Sequence, residues 1–168
     1  VRRKILREKI KMRAERALAI LDEIGEPSIS NIGGKAAQAL SILATHHSLS
    51  STRRVLDAFE ALYNKAPEDA YKESIPAMTD WLAILEHRPQ TFGTIWLLDE
   101  NHYPYLPTVA NFEHINERRA RYGIEPLRWP KSLVIPVEDQ PWLKRPIHEA
   151  TMRQPTAKEL EALADFGS

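Results

Sequence analysis

Apolar residues return at helical spacing through most of the chain, and the pattern changes once, just after residue 88. Ile10, Ala14, Ala17, Leu21 and Ile24 recur at three- and four-residue intervals, which predicts an amphipathic first helix over about residues 2–24 that stops at Gly25. The stretch EPSISNIGGK follows, and its proline, serines, asparagine and paired glycines read as a loop. A second helix is expected from about Lys35 to His47, with Ala36, Ala39, Leu40, Leu43 and Ala44 as a small-residue packing face. After the capping stretch SLSST, a third helix from about Thr52 to Lys65 carries Val55, Leu56, Phe59, Leu62 and Tyr63 on one side. A fourth begins near Ser74 and Pro76, both favourable at a helix start, and buries Met78, Trp81, Leu82 and Leu85.

Pro89 ends that helix, because it donates no backbone hydrogen bond and pushes Arg88 out of the helical region. The next segment, TFGTIWLLD, is rich in β-branched and aromatic residues and reads as a strand. DENH is a plausible turn, and YPYLPT a return strand that Pro104 and Pro107 confine to an edge. A small antiparallel hairpin near residues 90–108 is therefore expected. FEHINERRARY forms a fifth helix that stops at Gly123. Five prolines between Ile124 and Ala150 predict a proline-rich C-terminal arm over 124–150, anchored by Trp129 and Trp142. A terminal helix over 155–166 is marked by the Thr156–Glu159 capping box. The expected fold is mainly α: one compact helical domain spanning 1–168, with five to six helices and a helical core over 1–123.

Composition narrows the function classes. The chain has 168 residues, 43% of them hydrophobic, enough for one core and short for two. Its 23 basic and 23 acidic side chains cancel, which gives no reason to expect nucleic acid as a partner. The charges are uneven: residues 1–16 hold eight Lys or Arg against Glu8 and Glu15. The helical periodicity assigns these cations to the solvated face of the first helix rather than to a polyanion or membrane patch. No cysteine is present, which removes thiol chemistry and disulfides. No apolar run approaches the roughly 20 residues that span a bilayer. The expectation is a soluble, cytoplasmic protein, unless a segment before Val1 carried a signal.

Chemistry is sparse. The histidines are His46, His47, His87, His102, His114 and His148, and imidazole transfers protons near neutral pH or binds metal. His46 or His47 with Glu86, His87, Asp99 or His102 would offer donors suited to zinc or iron, but none of the compact metal-binding spacings occurs. No cofactor is expected, with such a metal as the lesser alternative. Gly33-Gly34-Lys35 before a helix lacks the rest of a phosphate loop, and no G-x-S-x-G elbow is present.

Three segments taken together carry a family resemblance: the GEP loop with AAQALSILATHHS, then RPQTFGTIW, then NERRARYGIEPL. Over about residues 20–128 the chain resembles a widespread bacterial family known only as a domain of unknown function. Its members show a G-W-P loop, a helix ending in Q-H-[SA]-D, a G-[KR]-P-Q-x-Y-G-T-Q segment and R-R-x-x-x-G-L-x-P-L. By motif, the family histidine falls on His46, the P-Q and G-T pairs on Pro89-Gln90 and Gly93-Thr94, and the arginines on Arg118 and Arg119. The chain departs from the pattern at Thr45 and Ser48, where the family has glutamine and aspartate. It departs again at His87, Phe92 and Ile95, where the family has glycine, tyrosine and glutamine. The resemblance implies a mainly helical fold and transfers no activity.

The first functional expectation is a cofactor-independent enzyme or binding pocket for a small anionic or amide-bearing molecule. His46 would be the catalytic acid or base, Arg118 or Arg119 would hold a carboxylate or phosphate, and Gln90 and Thr94 would orient the ligand. The competing structural expectation is that Gln90 and Thr94 satisfy backbone groups at the corner while the arginines pair with Glu113 or Glu117. The rival function is a protein-interaction module of accessory or immunity type, using the basic first helix and the tryptophan-bearing arm.

Overall fold

The computed structural model describes residues 2–98, 104–128 and 134–135. The chain is mainly helical and divides into two compact units, Val1–Met78 and Thr79–Ser168.

The first unit is built from helices. α1 (Arg2–Ile24) runs to the predicted glycine, and the Gly25 N–H returns to the Leu21 carbonyl at 2.8 Å, closing its last turn. Ala14 and Leu21 are its buried contacts. The segment expected to be irregular contains a one-turn helix, α2 (Ile29–Ile32). Ser28 caps it by accepting from the Asn31 N–H, and Asp69 accepts from the Ser30 N–H at 2.7 Å and from its hydroxyl at 2.6 Å. Four residues are too few to show a hydrophobic period, so composition alone gave no sign of this turn.

α3 (Gly34–Thr45) and α4 (Leu49–Lys65) pack on each other, and α3 also packs on α1. The buried face of α3 is Ala37, Leu40, Ser41 and Ala44, while Ala36 and Ala39 are exposed, a correction to the expected small-residue face. Apolar character did not separate adjacent alanines; the i, i+3, i+4, i+7 spacing from Ala37 does. α4 begins three residues before the expected Thr52, since Ser48 alone is the cap and accepts from the Ser51 N–H at 3.1 Å. Its buried side is Val55, Leu56, Phe59 and Leu62, as its periodicity requires. α5 (Ser74–Leu85) opens in the first unit, where its Ser74 hydroxyl lies 2.9 Å from that of Ser41 in the interior.

The rest of α5 belongs to the second unit. There Trp81 and Ile84 pack with Ile95, Leu97 and Tyr105, and a second cluster joins Trp96, Leu106, Val109 and Ile115. α5 ends in a full two-bond cap: His87 N–H to the Ile84 carbonyl at 3.1 Å, and Arg88 N–H to that of Ala83 at 2.8 Å.

The expected strand over TFGTIWLLD is shorter than its composition suggests. Only Leu97–Leu98 (β1) is strand, pairing antiparallel with Pro104–Pro107 (β2) through Leu97 opposite Tyr105. β2 also pairs in parallel with Val134–Ile135 (β3). A 3₁₀ turn at Phe112–His114 leads into α6 (Ile115–Arg121), so the fifth helix is split where one continuous helix was expected. Asn111, at φ 44°, begins the tight turn. The predicted DENH turn, most of the proline-rich arm with Trp129 and Trp142, and the 155–166 helix lie outside the described residues.

Candidate functional site

In the second unit one loop collects most of the polar residues that the sequence singled out. Residues 90–95 follow the α5 cap, and the backbone N–H groups of Thr91, Phe92, Thr94 and Ile95 and the carbonyls of Thr91, Phe92 and Ile95 have side-chain partners. At the centre stands Asp80 of α5, 0% exposed. Its Oδ1 accepts from the Thr91 N–H at 2.7 Å and the Phe92 N–H at 2.9 Å. Its Oδ2 accepts from the Thr94 N–H at 2.8 Å and the Thr94 hydroxyl at 2.7 Å.

Gln90, also 0% exposed, works on the other end of the loop. Its Oε1 accepts from the Ile95 N–H at 2.9 Å, and its Nε2 donates to the Ile95 carbonyl at 3.0 Å. Its own backbone bridges to the 108–110 segment, donating to Thr108 and accepting from Ala110, each at 2.8 Å. Gln90 thus forms an isolated parallel bridge with Val109, whereas the groups of Thr91, Phe92, Thr94 and Ile95 that a strand would give to its neighbour are taken by side chains, so the loop curls inward instead of extending. Asp80 is the residue that sequence reasoning missed. Its signal was an acid between Met78, Trp81 and Leu82 on the buried side of a helix, a position where an unpartnered carboxylate is too costly to keep.

The two arginines complete the accounting from α6. Arg118 donates through Nε to the Thr91 carbonyl at 2.8 Å, through Nη1 to Asn111 at 3.1 Å, and through Nη2 to Ala110. Arg119 donates through Nη1 to the Phe92 carbonyl at 2.8 Å and through Nε to that of Glu125 at 2.6 Å. The expected pairing of these arginines with Glu113 or Glu117 is replaced by carbonyl contacts, since three planar donors reach several oxygens that one carboxylate does not occupy. Glu117 instead meets His114 at 3.2 Å.

Gly93 makes the curl possible. It has φ 63°, and a Cβ there would stand 3.0 Å from Ile115 Cδ1 and 3.3 Å from Leu127 Cδ2. Phe92 turns its ring edge-on to Tyr122, with centroids 5.2 Å apart.

The electrostatics follow from burial. Removal from water pushes the Asp80 carboxyl above the usual carboxylate range, and the hydrogen bonds from Phe92, Thr94 and Thr91 pull it back down. All four contacts are donors, so the ionised form satisfies them; a proton on either oxygen would face a donor. Half-burial lowers the Arg119 pKa, while the carboxylates of Asp80 and Glu125 raise it.

Gln90, Thr94, Arg118 and Arg119 are thus brought together around one loop. His46 lies in the first unit, exposed, where it caps the C-terminal end of α3 with its Nδ1 3.4 Å from the Thr45 hydroxyl. Its neighbour His47 holds Ser51 through Nδ1 at 2.7 Å, and Ser51 in turn lies 2.7 Å from the Ser48 hydroxyl. Among the described residues no three His, Asp or Glu side chains gather as metal ligands; the candidate donors Asp99 and His102 lie outside those residues. No helix among the described residues is long and apolar enough to cross a membrane. No family model, curated protein or solved structure matches the chain.

Proposed function

We propose that the chain is a protein-interaction module and that the outer face of α1 is its binding surface. One observation carries this reading: Ile5, Met12 and Ile20 are 47%, 68% and 38% exposed on a single helix. At 3.6 residues per turn they fall within a sector of about 80°, facing away from the buried Ala14 and Leu21. Single exposed apolar residues are ordinary on any surface, whereas three on one sector of a helix with cations among them make a mixed apolar and basic face. Lys9 and Arg16 lie within the same sector and Arg13 beside it, so the partner would present carboxylates interspersed with apolar side chains. In this reading the strand pair near 90–108 closes as the hairpin, and Trp129 and Trp142 are further candidate contact residues.

The loop of residues 90–95 supports the same choice. Gln90, Thr94 and Arg118 have their hydrogen-bonding groups taken up internally, which favours a framework role over ligand recognition. A small-anion site remains the second reading, favoured by Arg119, whose Nη2 has no hydrogen-bond partner among the described residues. Thermal shift with phosphate and small carboxylates tests it: stabilisation that Arg119→Met abolishes supports it, and no shift removes it.

The surface reading is tested by a photo-crosslinking residue at Met12, compared in producing cells with one at the exposed Asn64 of α4. Adducts specific to position 12 are expected. Their absence, or equal yields from both positions, would overturn it.

A further inference from the structure

We infer that the occupant of the α1 outer face is one acidic amphipathic helix of the partner protein, lying along α1; this rests on α1 being a binding surface. The order of residues down the face carries the inference. In steps of four and three positions it runs Ile5, Lys9, Met12, Arg16, Ala19 and Glu23, all exposed. At 3.6 residues per turn these six fall within a sector of about 80°. Apolar and charged side chains therefore alternate along one narrow line.

The spacing selects a helix. Ile5, Met12 and Ala19 stand two turns apart, about 10.5 Å at each interval. A neighbouring helix presents side chains at the same interval along its contact line, at the shallow crossing angle common to long paired helices. A strand does not, because residues on one of its faces recur about every 6.8 Å and fall out of step with the row.

The charges select acids. Lys9 and Arg13 have no carboxylate partner among the described residues. Arg16 meets Glu23 at 3.3 Å, with both side chains largely exposed, and a carboxylate of the partner joins such a surface pair at little cost. Lys9 and Arg16 are themselves two turns apart, so the partner helix meets them with two acids about seven residues apart and apolar residues between.

The same positions disfavour other occupants. Lys9 and Arg16 stand between the apolar residues, so pressing the row into a bilayer would carry both charges in with it. A helix that lies in a lipid interface keeps its cations on the polar face instead. A parallel copy of α1 would set Lys9 against Lys9 and Arg16 against Arg16, which is repulsive. Ala14 and Leu21 remain buried in their own unit, so covering the outer face exposes nothing.

Photo-crosslinking residues placed singly at positions 5, 12 and 19 of the full chain in producing cells, with each linked residue mapped by mass spectrometry, test this. The three adducts are expected within one partner segment, at intervals of about seven residues, with acids beside them. Lys9→Glu and Arg16→Glu together should lower the yield at position 12 at least about tenfold, with the circular dichroism of the chain unchanged. Links scattered over several segments, links to lipid or links between copies of this chain would overturn the acidic helix. A yield that the two charge reversals leave unchanged would overturn it too. Wherever position 12 still gives a specific protein adduct, the surface reading stands without the helix. If position 12 gives no specific adduct, both fall.

Discussion

Replacing Asp80 tests whether residues 90–95 are held by side chains. Asp80→Ala removes the acceptor for the N–H groups of Thr91, Phe92 and Thr94 and for the Thr94 hydroxyl. A buried donor left without an acceptor costs about 1–3 kcal/mol; the Phe92 N–H is buried and the three donors of Thr91 and Thr94 are half-buried, so the four together give about 4 kcal/mol or more unless the loop opens to water. Release of the loop limits the loss, which is expected near 4–8 kcal/mol. That is a large share of the roughly 5–15 kcal/mol that holds a domain folded.

Asp80→Asn is the sharper variant because its shape is nearly unchanged. Its oxygen can keep Thr91 and Phe92, while its amide nitrogen faces the Thr94 N–H as a second donor. The expected cost is about 1–3 kcal/mol. Urea unfolding followed by tryptophan fluorescence reads both variants, since Trp81 and Trp96 are buried in the same unit. Asp80→Ala within about 1 kcal/mol of the parent would refute the claim that this carboxylate organises the loop. Asp80→Asn at or above parental stability would show that the cost of burying the charge exceeds the gain from the bonds it receives.

Other consequences follow from neighbouring contacts. Gln90→Met leaves the Ile95 N–H and carbonyl without their partners, and urea unfolding should show a loss of about 2–4 kcal/mol; a neutral result would contradict the bonding described. His87 sits at φ 54°, so His87→Gly is expected to gain about 1 kcal/mol in the same assay, and destabilisation would mean its side chain matters more than the strain. The side-chain and backbone bonds from Ser30 hold the Asp69 carboxyl below its ordinary 3.8. A depressed folded-state value means that this stabilisation is full above the ordinary value and fades as pH falls through the lowered one. Ser30→Ala should bring the carboxyl back up in an NMR titration, and an unmoved titration would contradict the assignment.

The helices were legible because their cores repeat at three- and four-residue intervals and their ends carry local signals such as Ser48, Gly25 and Gly123. The 90–95 loop was not, because β-branched and aromatic content describes a strand unless another residue captures its backbone. Here the captor is Asp80, 11 to 14 positions upstream, and no local window links the two. His87 occupies a left-handed cap position where glycine is unstrained, and Ser48 stands at a helix N-cap where aspartate serves equally well. The outer face of α1 escaped notice for another reason. Its inner stripe alone satisfies the amphipathic pattern, and Ile5, Met12 and Ile20, set seven and eight positions apart among cations, add no period of their own.

The outer face of α1 is tested most directly by methyl NMR with a soluble paramagnetic probe. Met12 is 68% exposed and Met78 1%, so in dilute solution the probe should broaden the Met12 methyl and spare that of Met78. On addition of extract from producing cells, the account predicts that the Met12 methyl becomes protected while Met78 is unchanged. A Met12 methyl that stays fully accessible with the extract present would contradict it.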